Sequence, residues 1–489
     1  MTSRRALAPN LVLLGLFGLL GGQAMAKTTW QGIMPNAQPS QSNMIFKIAA
    51  VDGTHAWTVG KRNTGGNDEL VGLRTTNGTT WQQMSLPQGA SFFPVIPTAI
   101  VFSDANNGYL AATEMEGLNE VNKIFVTQNG GGSWTEQARV DAPMLQFQVL
   151  RTGEIFGTGG GYVIRSLDGQ SWTSHAVDGP SADVVPAGVS MLNATCGFLV
   201  GGWGADSEGG HPSASDGASW YTGDGGETWT IRAQGLPFYL GAASFVASDL
   251  GWAVGQQDGG TGILAVTTDG GHTFTRVDVP EHPAMPSVCL MSQCLDDPTP
   301  VTDMIGVRFW DALRGIAHGL ACTGDCDGDN PTYLTVFLRT YDGGALWEYD
   351  TDYEAAMPDI DMTMLVIPGE MTGMFDGAFP DPNSAFLAGQ YEMILRYEAD
   401  WIEDPAQSPP SCTSTAADGG IGPGPDGGVN PRPDGGGGDD GTSLSGCGCQ
   451  GAGTPGQGAL TILALASILF SIRGSGRARR RARRRARRP

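Results

Sequence analysis

The residues best equipped for chemistry are acids and cysteines crowded into one stretch. Asp325-Cys326-Asp327-Gly328-Asp329-Asn330 sets three carboxylates at alternate positions. Hard oxygen ligands at that spacing are what the opening of a calcium loop needs. A full EF-type loop also needs a bidentate Glu at its twelfth position, where Val336 stands. Calcium held by Asp325, Asp327 and Asp329 is therefore one reading, and an acidic solvated turn is the other. No other cofactor is implied. Four of the eight cysteines share this region: Cys289, Cys294, Cys322 and Cys326. Disulfides between them would staple a long insertion, and C-x4-C with C-x3-C could instead supply four zinc ligands. Pairing is not legible from spacing. The six histidines are scattered, and no HExxH, G-x-S-x-G or phosphate-binding loop occurs. No residue qualifies as a catalytic candidate on these grounds.

A second set of acids sits in a repeated frame. The eight-residue form is Thr127–Trp134 (TQNGGGSW), Thr222–Trp229 (TGDGGETW), Thr267–Phe274 (TTDGGHTF) and Thr340–Trp347 (TYDGGALW). A form one residue shorter is Thr75–Trp81 (TTNGTTW) and Ser166–Trp172 (SLDGQSW). In each, the side chain of Asn77, Asn129, Asp168, Asp224, Asp269 or Asp342 can accept backbone N–H groups further along and close a turn. The glycines permit the positive φ of a tight hairpin. The closing aromatic, Trp81, Trp134, Trp172, Trp229, Phe274 or Trp347, opens the next strand with a large apolar surface. These acids are read as structural, not as a catalytic row.

The elements that carry them are strands. KIFVTQ, YVIRSL, GILAVTT and YLTVFLRTY run into the turns, rich in β-branched and aromatic residues and without a helical period. Glycine is 74 of 489 residues and charged residues only 16%, as many short strands with tight turns require. A strand of G-W-x-V-G type precedes each turn: 55–60, 107–112, 153–160, 196–202, 250–255 and 314–319, with a seventh at 384–389. Box-end aromatics are 53, 38, 57, 45 and 73 residues apart, so extra length is expected in loops.

The turn pattern resembles the Asp-box, or BNR, repeat of sialidases, sortilin-type receptors, xyloglucan-cleaving glycosidases and photosystem II assembly-factor-like propellers. With its G-W-x-V-G strand it is most similar to the last group. The resemblance implies an all-β, single β-propeller of seven blades over residues 27–401. Thr28-Thr29-Trp30-Gln31 repeats Thr79-Thr80-Trp81-Gln82, the strand after the first box. The N-terminal strand is therefore expected to complete the last blade and close the ring.

The ends read differently. Residues 1–26 have Arg4 and Arg5, an apolar run Leu11–Leu20, and Ala24-Met25-Ala26. That is a secretory signal cleaved between Ala26 and Lys27. Residues 402–446 are Pro-, Gly- and Asp-rich and read as a disordered linker. Residues 447–489 hold Cys447 and Cys449, the apolar stretch Ala459–Ile472 and an arginine block. This tail resembles the myxobacterial C-terminal sorting signal, which implies anchoring through Cys447 or Cys449 and display on the outer surface. Ten of the 28 basic residues lie at or after Arg473 and two in 1–26, leaving 16 against 50 acids, a net of −34 for the exported part. Such a surface repels nucleic acid.

The resemblance allows two functions. One is a monomeric, surface-anchored binding or scaffold module for a protein or glycan partner. The other is a glycoside hydrolase of sialidase or xyloglucanase type. A sialidase needs three arginines clamping a carboxylate; eleven arginines lie between Arg62 and Arg396, several on strands entering boxes, and no Arg-Ile-Pro or Arg-Leu-Pro segment is present.

Overall fold

The structure is a computed structural model describing residues 28–399, except 36–42, 65–66, 88–94, 204–215, 258–259, 291–292, 324–331, 358–359, 363–364 and 368–372. Seven four-stranded antiparallel sheets form seven blades. Blade 1 is Met44–Ala50, Ala56–Thr64, Asn67–Thr75 and Trp81–Met84. Blade 2 is Ile96–Phe102, Gly108–Glu116, Asn119–Thr127 and Thr135–Val140. Blade 3 is Gln146–Val149, Ile155–Gly159, Tyr162–Ser166 and Thr173–Ala176. Blade 4 is Val184–Met191, Gly197–Trp203, Gly217–Thr222 and Thr230–Leu236. Blade 5 is Tyr239–Phe245, Gly251–Gln257, Thr261–Thr267 and Thr275–Val277. Blade 6 is Val301–Phe309, Gly315–Thr323, Thr332–Thr340 and Glu348–Tyr349. Blade 7 is Met374–Asp381, Ser384–Gly389 and Ile394–Ala399, with Thr28–Ile33 as its outer strand. The first strand of each blade touches the first strand of the next, and that of blade 7 returns to blade 1. The chain is a seven-bladed β-propeller.

The N-terminal strand closes the ring, with Trp30 opposite Tyr397. Trp30 is 8% exposed. Its ring meets Phe337, Tyr353 and Tyr397, and its Nε1 donates to Asp350 Oδ2 at 3.1 Å. It thus ties blade 7 to blade 6 as well as to its own sheet. The long spacing before Trp347 is filled partly by a two-stranded hairpin, Met285–Leu290 with Gln293–Leu295, rather than by loop alone. A second small hairpin, Ile360–Met362 with Leu365–Ile367, and a 3₁₀ turn at Thr351–Ala356 precede blade 7.

The G-W-x-V-G strand has two physical roles. Its aromatic stacks on the next blade's inner strand: Trp57 on Phe102, Phe198 on Phe245 and Trp252 on Phe309, with centroids 3.6, 3.8 and 3.4 Å apart. Its last glycine faces a bulge. The inner strands of six blades shift register at one equivalent place, between Ile45 and Lys47 in blade 1 and between Leu240 and Ala242 in blade 5, for example. The bulge pushes a backbone carbonyl across the neighbouring strand, so a Cβ on Gly255 would lie 2.0 Å from Tyr239 O. Five of the six bulged blades have glycine at this place, and blade 2 has the small Ala112.

No described helix is long and apolar enough to cross a membrane. Residues 1–26, the linker 402–446, Cys447, Cys449, Ala459–Ile472 and Trp401 lie outside the described residues.

Trp30→Ala removes an aromatic from three ring contacts and should cost ~3–5 kcal/mol, and deleting 28–34 should lower the melting temperature by about 5–10 °C. An unchanged calorimetric melt would contradict closure by this strand. Gly255→Ala should destabilise by ~1–3 kcal/mol, read from urea midpoints.

Candidate functional site

The repeated turns lie on one face of the ring, and their acids are committed to them. Asn77 Oδ1 accepts from Thr79 N and Thr80 N at 3.0 and 2.8 Å. Asp168 Oδ1 accepts from Gln170 N and Ser171 N at 2.8 and 2.6 Å. In the longer form the reach is four residues: Asn129 to Ser133 N, Asp224 to Thr228 N, Asp269 to Thr273 N and Asp342 to Leu346 N, at 2.9–3.0 Å. The added residue lets the leading threonine accept a glycine N–H, as from Gly226 N to Thr222 Oγ1 at 2.8 Å. Backbone amides of Ser171 and Gln170 hold Asp168 well below the usual carboxylate range. For Asp224, partial burial opposes ionisation, but the Thr228 hydroxyl and amide outweigh it and bring the group down to about 2.

The sequence reading missed a second series of such turns. Asp52, Asp104, Asn193 and Asp311 each accept two backbone N–H groups in the turn between the first two strands of a blade. The signal was present as an Asp or Asn four residues before the glycine or alanine that opens the second strand. The two turn series are joined: Gly78 N donates to Thr54 O, Gly130 N to Asn106 O, Gly225 N to Thr195 O, Gly270 N to Asp249 O and Gly343 N to Leu313 O.

Donors from the preceding blade then reach the glycine carbonyls of these turns. Trp57 Nε1 and Arg74 bond to Gly130 O, Tyr109 Oη to Gly169 O, Arg165 to Gly225 O, Ser219 Oγ to Gly271 O and Trp252 Nε1 to Gly343 O. Arg396 reaches Gly53 O of blade 1. Arg74, Arg165 and Arg396 are therefore fastenings between blades. Six further arginines also have partners: Arg62 with Glu392, Arg139 with Glu116 and Glu136, Arg232 with His272 and Tyr221, Arg276 with Gln257, Arg314 with Asp311, and Arg339 with Asp350. Of the eleven, Arg151 and Arg308 alone have no hydrogen-bond or ion-pair partner among the described residues.

Arg308 belongs to the axial channel by its register, and Arg151 lies in the exposed turn that follows the inner strand of blade 3. Inner strands have a free edge, and side chains of the preceding blade cap its N–H groups. Gln148 Oε1 accepts from Met191 N, Ser190 Oγ from Phe245 N, and Ser244 Oγ from Phe309 N, at 2.6–2.9 Å. Asp376 Oδ2 accepts from Ile48 N at 2.8 Å. By register, blade 6 places Arg308 where blades 4 and 5 place Ser190 and Ser244: Arg308 is opposite Ile316 as Ser190 is opposite Phe198 and Ser244 opposite Trp252. Arg308 is enclosed by protein yet solvent-accessible, as a tunnel wall is. Burial, then the charge of Arg151, pulls its pKa below the ordinary arginine range. Further along the wall, burial raises Asp376 against the opposing charge of Lys47. His318 lies over Gly306, whose missing Cβ leaves room for the ring. It is 2% exposed, and neither ring nitrogen has a partner. Burial, with Lys47 second, brings it down to about 3.

A separate cleft of about 660 Å³ between blades 2 and 3 is lined by Tyr109, Gln128, Gln137 and Asp168 among others. Tyr109 and Asp168 are already engaged in the turn there. Cys322 is disulfide-bonded, and so is Cys196, a buried residue outside the expected group of four. Cys289 and Cys294 are cross-strand partners in the hairpin. Cys326 and the three acids Asp325, Asp327 and Asp329 lie outside the described residues. Among the described residues, no group of three or more His, Cys, Asp or Glu side chains could hold a metal.

No protein-family model matches the chain, and no curated protein sequence matches it. It is similar in structure to YCF48 from Cyanidioschyzon merolae, at 16% identity, 76% of this chain and 98% of that one, with a TM-score of 0.46. It is similar to selenomethionine-substituted virginiamycin B lyase from Staphylococcus aureus, at 11% identity, 76% and 99%, with a TM-score of 0.45. It is also similar to the GH74 xyloglucanase from Xanthomonas campestris, at 14% identity, 75% and 53%, with a TM-score of 0.43. These activities are those of the neighbours.

His318 gives a pH prediction. An unfolded chain protonates this imidazole near 6.5, the folded chain near 3. Stability is therefore lost as pH falls from about 6.5 towards 3. Relative to wild type, His318→Leu should gain stability between about pH 7.5 and about pH 4.5 in urea titrations. A pH-independent difference would contradict a neutral buried ring.

Proposed function

We propose that this chain is an exported, surface-anchored propeller that binds a protein or glycan partner without turning it over. The observation that carries the reading is the arginine inventory. A sialidase-type clamp needs three guanidinium groups converging on one carboxylate. Here nine of eleven arginines between Arg62 and Arg396 fasten blades or pair with neighbouring groups, leaving Arg151 and Arg308. The acids of the repeated turns are equally committed, so the Asp-box kinship supports architecture and not catalysis.

The ends complete the proposal. Residues 1–26 direct export with cleavage before Lys27, and residues 402–446 hold the propeller off the membrane. Cys447 or Cys449 anchors the chain at the outer surface as a myxobacterial-type sorting signal would. An exported region with a net charge of −34 suits a soluble monomer that avoids nucleic acid.

The functional test incubates the purified chain with sialosides, xyloglucan and other β-glucans, following product release and retention together. Retention, or capture of a surface protein by crosslinking on intact cells, without product release is the expected outcome. Release of sugar would replace this reading with a secreted hydrolase. For anchoring, replacing Cys447 and Cys449 by Ser should move the protein from the membrane fraction to the medium.

A further inference from the structure

We infer that Arg151 and Arg308 form an oxyanion site across the turn-face mouth of the axial channel, taking a carboxylate or phosphoryl group presented along the axis. This extends the binding reading by naming the chemical group that the propeller receives.

Arg308 is the next-to-last residue of the inner strand of blade 6. Arg151 follows the inner strand of blade 3 by two residues, in the turn leading to Ile155. Both therefore lie at the end of the channel that carries the repeated turns. In a ring of seven, blades 3 and 6 stand three places apart, on opposite walls. From these places both side chains border the turn-face mouth, and the charge of Arg151 acts on Arg308 after the larger effect of burial.

The chemistry follows from what each lacks. Ser190, Ser244 and Gln148 occupy equivalent inner positions and cap N–H groups of the next blade. Arginine has no acceptor and cannot cap an N–H, so Arg308 is useless for that structural task. Neither arginine has a partner among the described residues. The nearby Glu154 accepts a hydrogen bond from Thr152. In a chain with 50 acids, two arginines at one mouth without partners among the described residues are a local cost that an oxyanion would relieve. Guanidinium forks match carboxylate and phosphate oxygens in pairs, and a partly enclosed channel weakens screening by water.

The test measures melting of the full chain in low millimolar phosphate, in succinate, and in chloride at matched ionic strength. It is repeated for Arg308→Ser and Arg151→Ser. Serine is already tolerated at the blade 4 and blade 5 equivalents of Arg308, and Arg151 is an exposed turn residue, so both variants should fold. Excluded-ion effects of phosphate act on all three proteins alike, so the readout is the saturable rise seen in wild type and absent from the variants. Titration calorimetry should show binding weakened about tenfold or more on loss of either arginine, as expected for one charged hydrogen-bonding partner. A response to phosphate alone assigns a phosphoryl group, and one to succinate alone a carboxylate. A response to both assigns the shared oxyanion chemistry. No rise above chloride, or an equal rise in the variants, overturns the site. Sugar release by the chain would end the non-enzymatic reading and leave this result standing, whereas loss of the anion response would end the site and leave that reading standing.

Discussion

Blades 1 to 5 and blade 7 are each fastened to the next by a donor that reaches a backbone carbonyl in the neighbour's turn. Trp57 and Arg74 hold Gly130 O, Tyr109 holds Gly169 O, Arg165 holds Gly225 O, Ser219 holds Gly271 O and Trp252 holds Gly343 O. A sheet of four strands buries too little on its own to be stable, so a propeller stands or falls on such contacts between blades. The carbonyls are available because the acid of each turn has already taken the turn's N–H groups. The glycines let the chain turn tightly enough to present the oxygen outward. The stacked pairs Trp57–Phe102, Phe198–Phe245 and Trp252–Phe309 fill the space just inside this ring of hydrogen bonds. Trp30 does the equivalent work at the seam, where the chain's two ends share one sheet.

The same dependence explains the channel. Inner strands are edge strands, and a free edge is a liability unless its N–H groups are covered. Ser190, Ser244, Gln148 and Asp376 provide that cover from the preceding blade. At the register of Gln148, Ser190 and Ser244, blades 1, 2 and 7 carry the apolar Ala49, Val101 and Ala378, and blade 6 alone carries a charge, Arg308. Function in a repeat protein is best sought at such a departure, because the repeated positions are already spent on holding the ring together.

The arginines illustrate how far sequence reaches. Arg74 and Arg165, on strands entering the repeated turns, are legible as architectural from their position. Arg139 lies on an outer strand and Arg151 in a turn, but neither place tells that Arg139 is engaged with Glu116 and Glu136 while Arg151 has no partner among the described residues. The second turn series, led by Asp52, Asp104, Asn193 and Asp311, was visible in principle as a fixed offset before the second strand. It is harder to see because its motif lacks the glycine pair and the closing aromatic.

Sequence by itself determined the fold class, the number of blades and the closure by Trp30. Turn chemistry is local: an acid, a glycine and an aromatic at fixed offsets act within one hairpin six times over, and the seven strand motifs beside them count the blades. Tertiary structure alone decided which polar groups remain free. Closing the ring sets blade 3 against blade 6 across the axis, and it decides which guanidinium meets a turn carbonyl, which meets a carboxylate and which meets neither among the described residues. That choice depends on distances between residues far apart in the chain, and no local pattern encodes them.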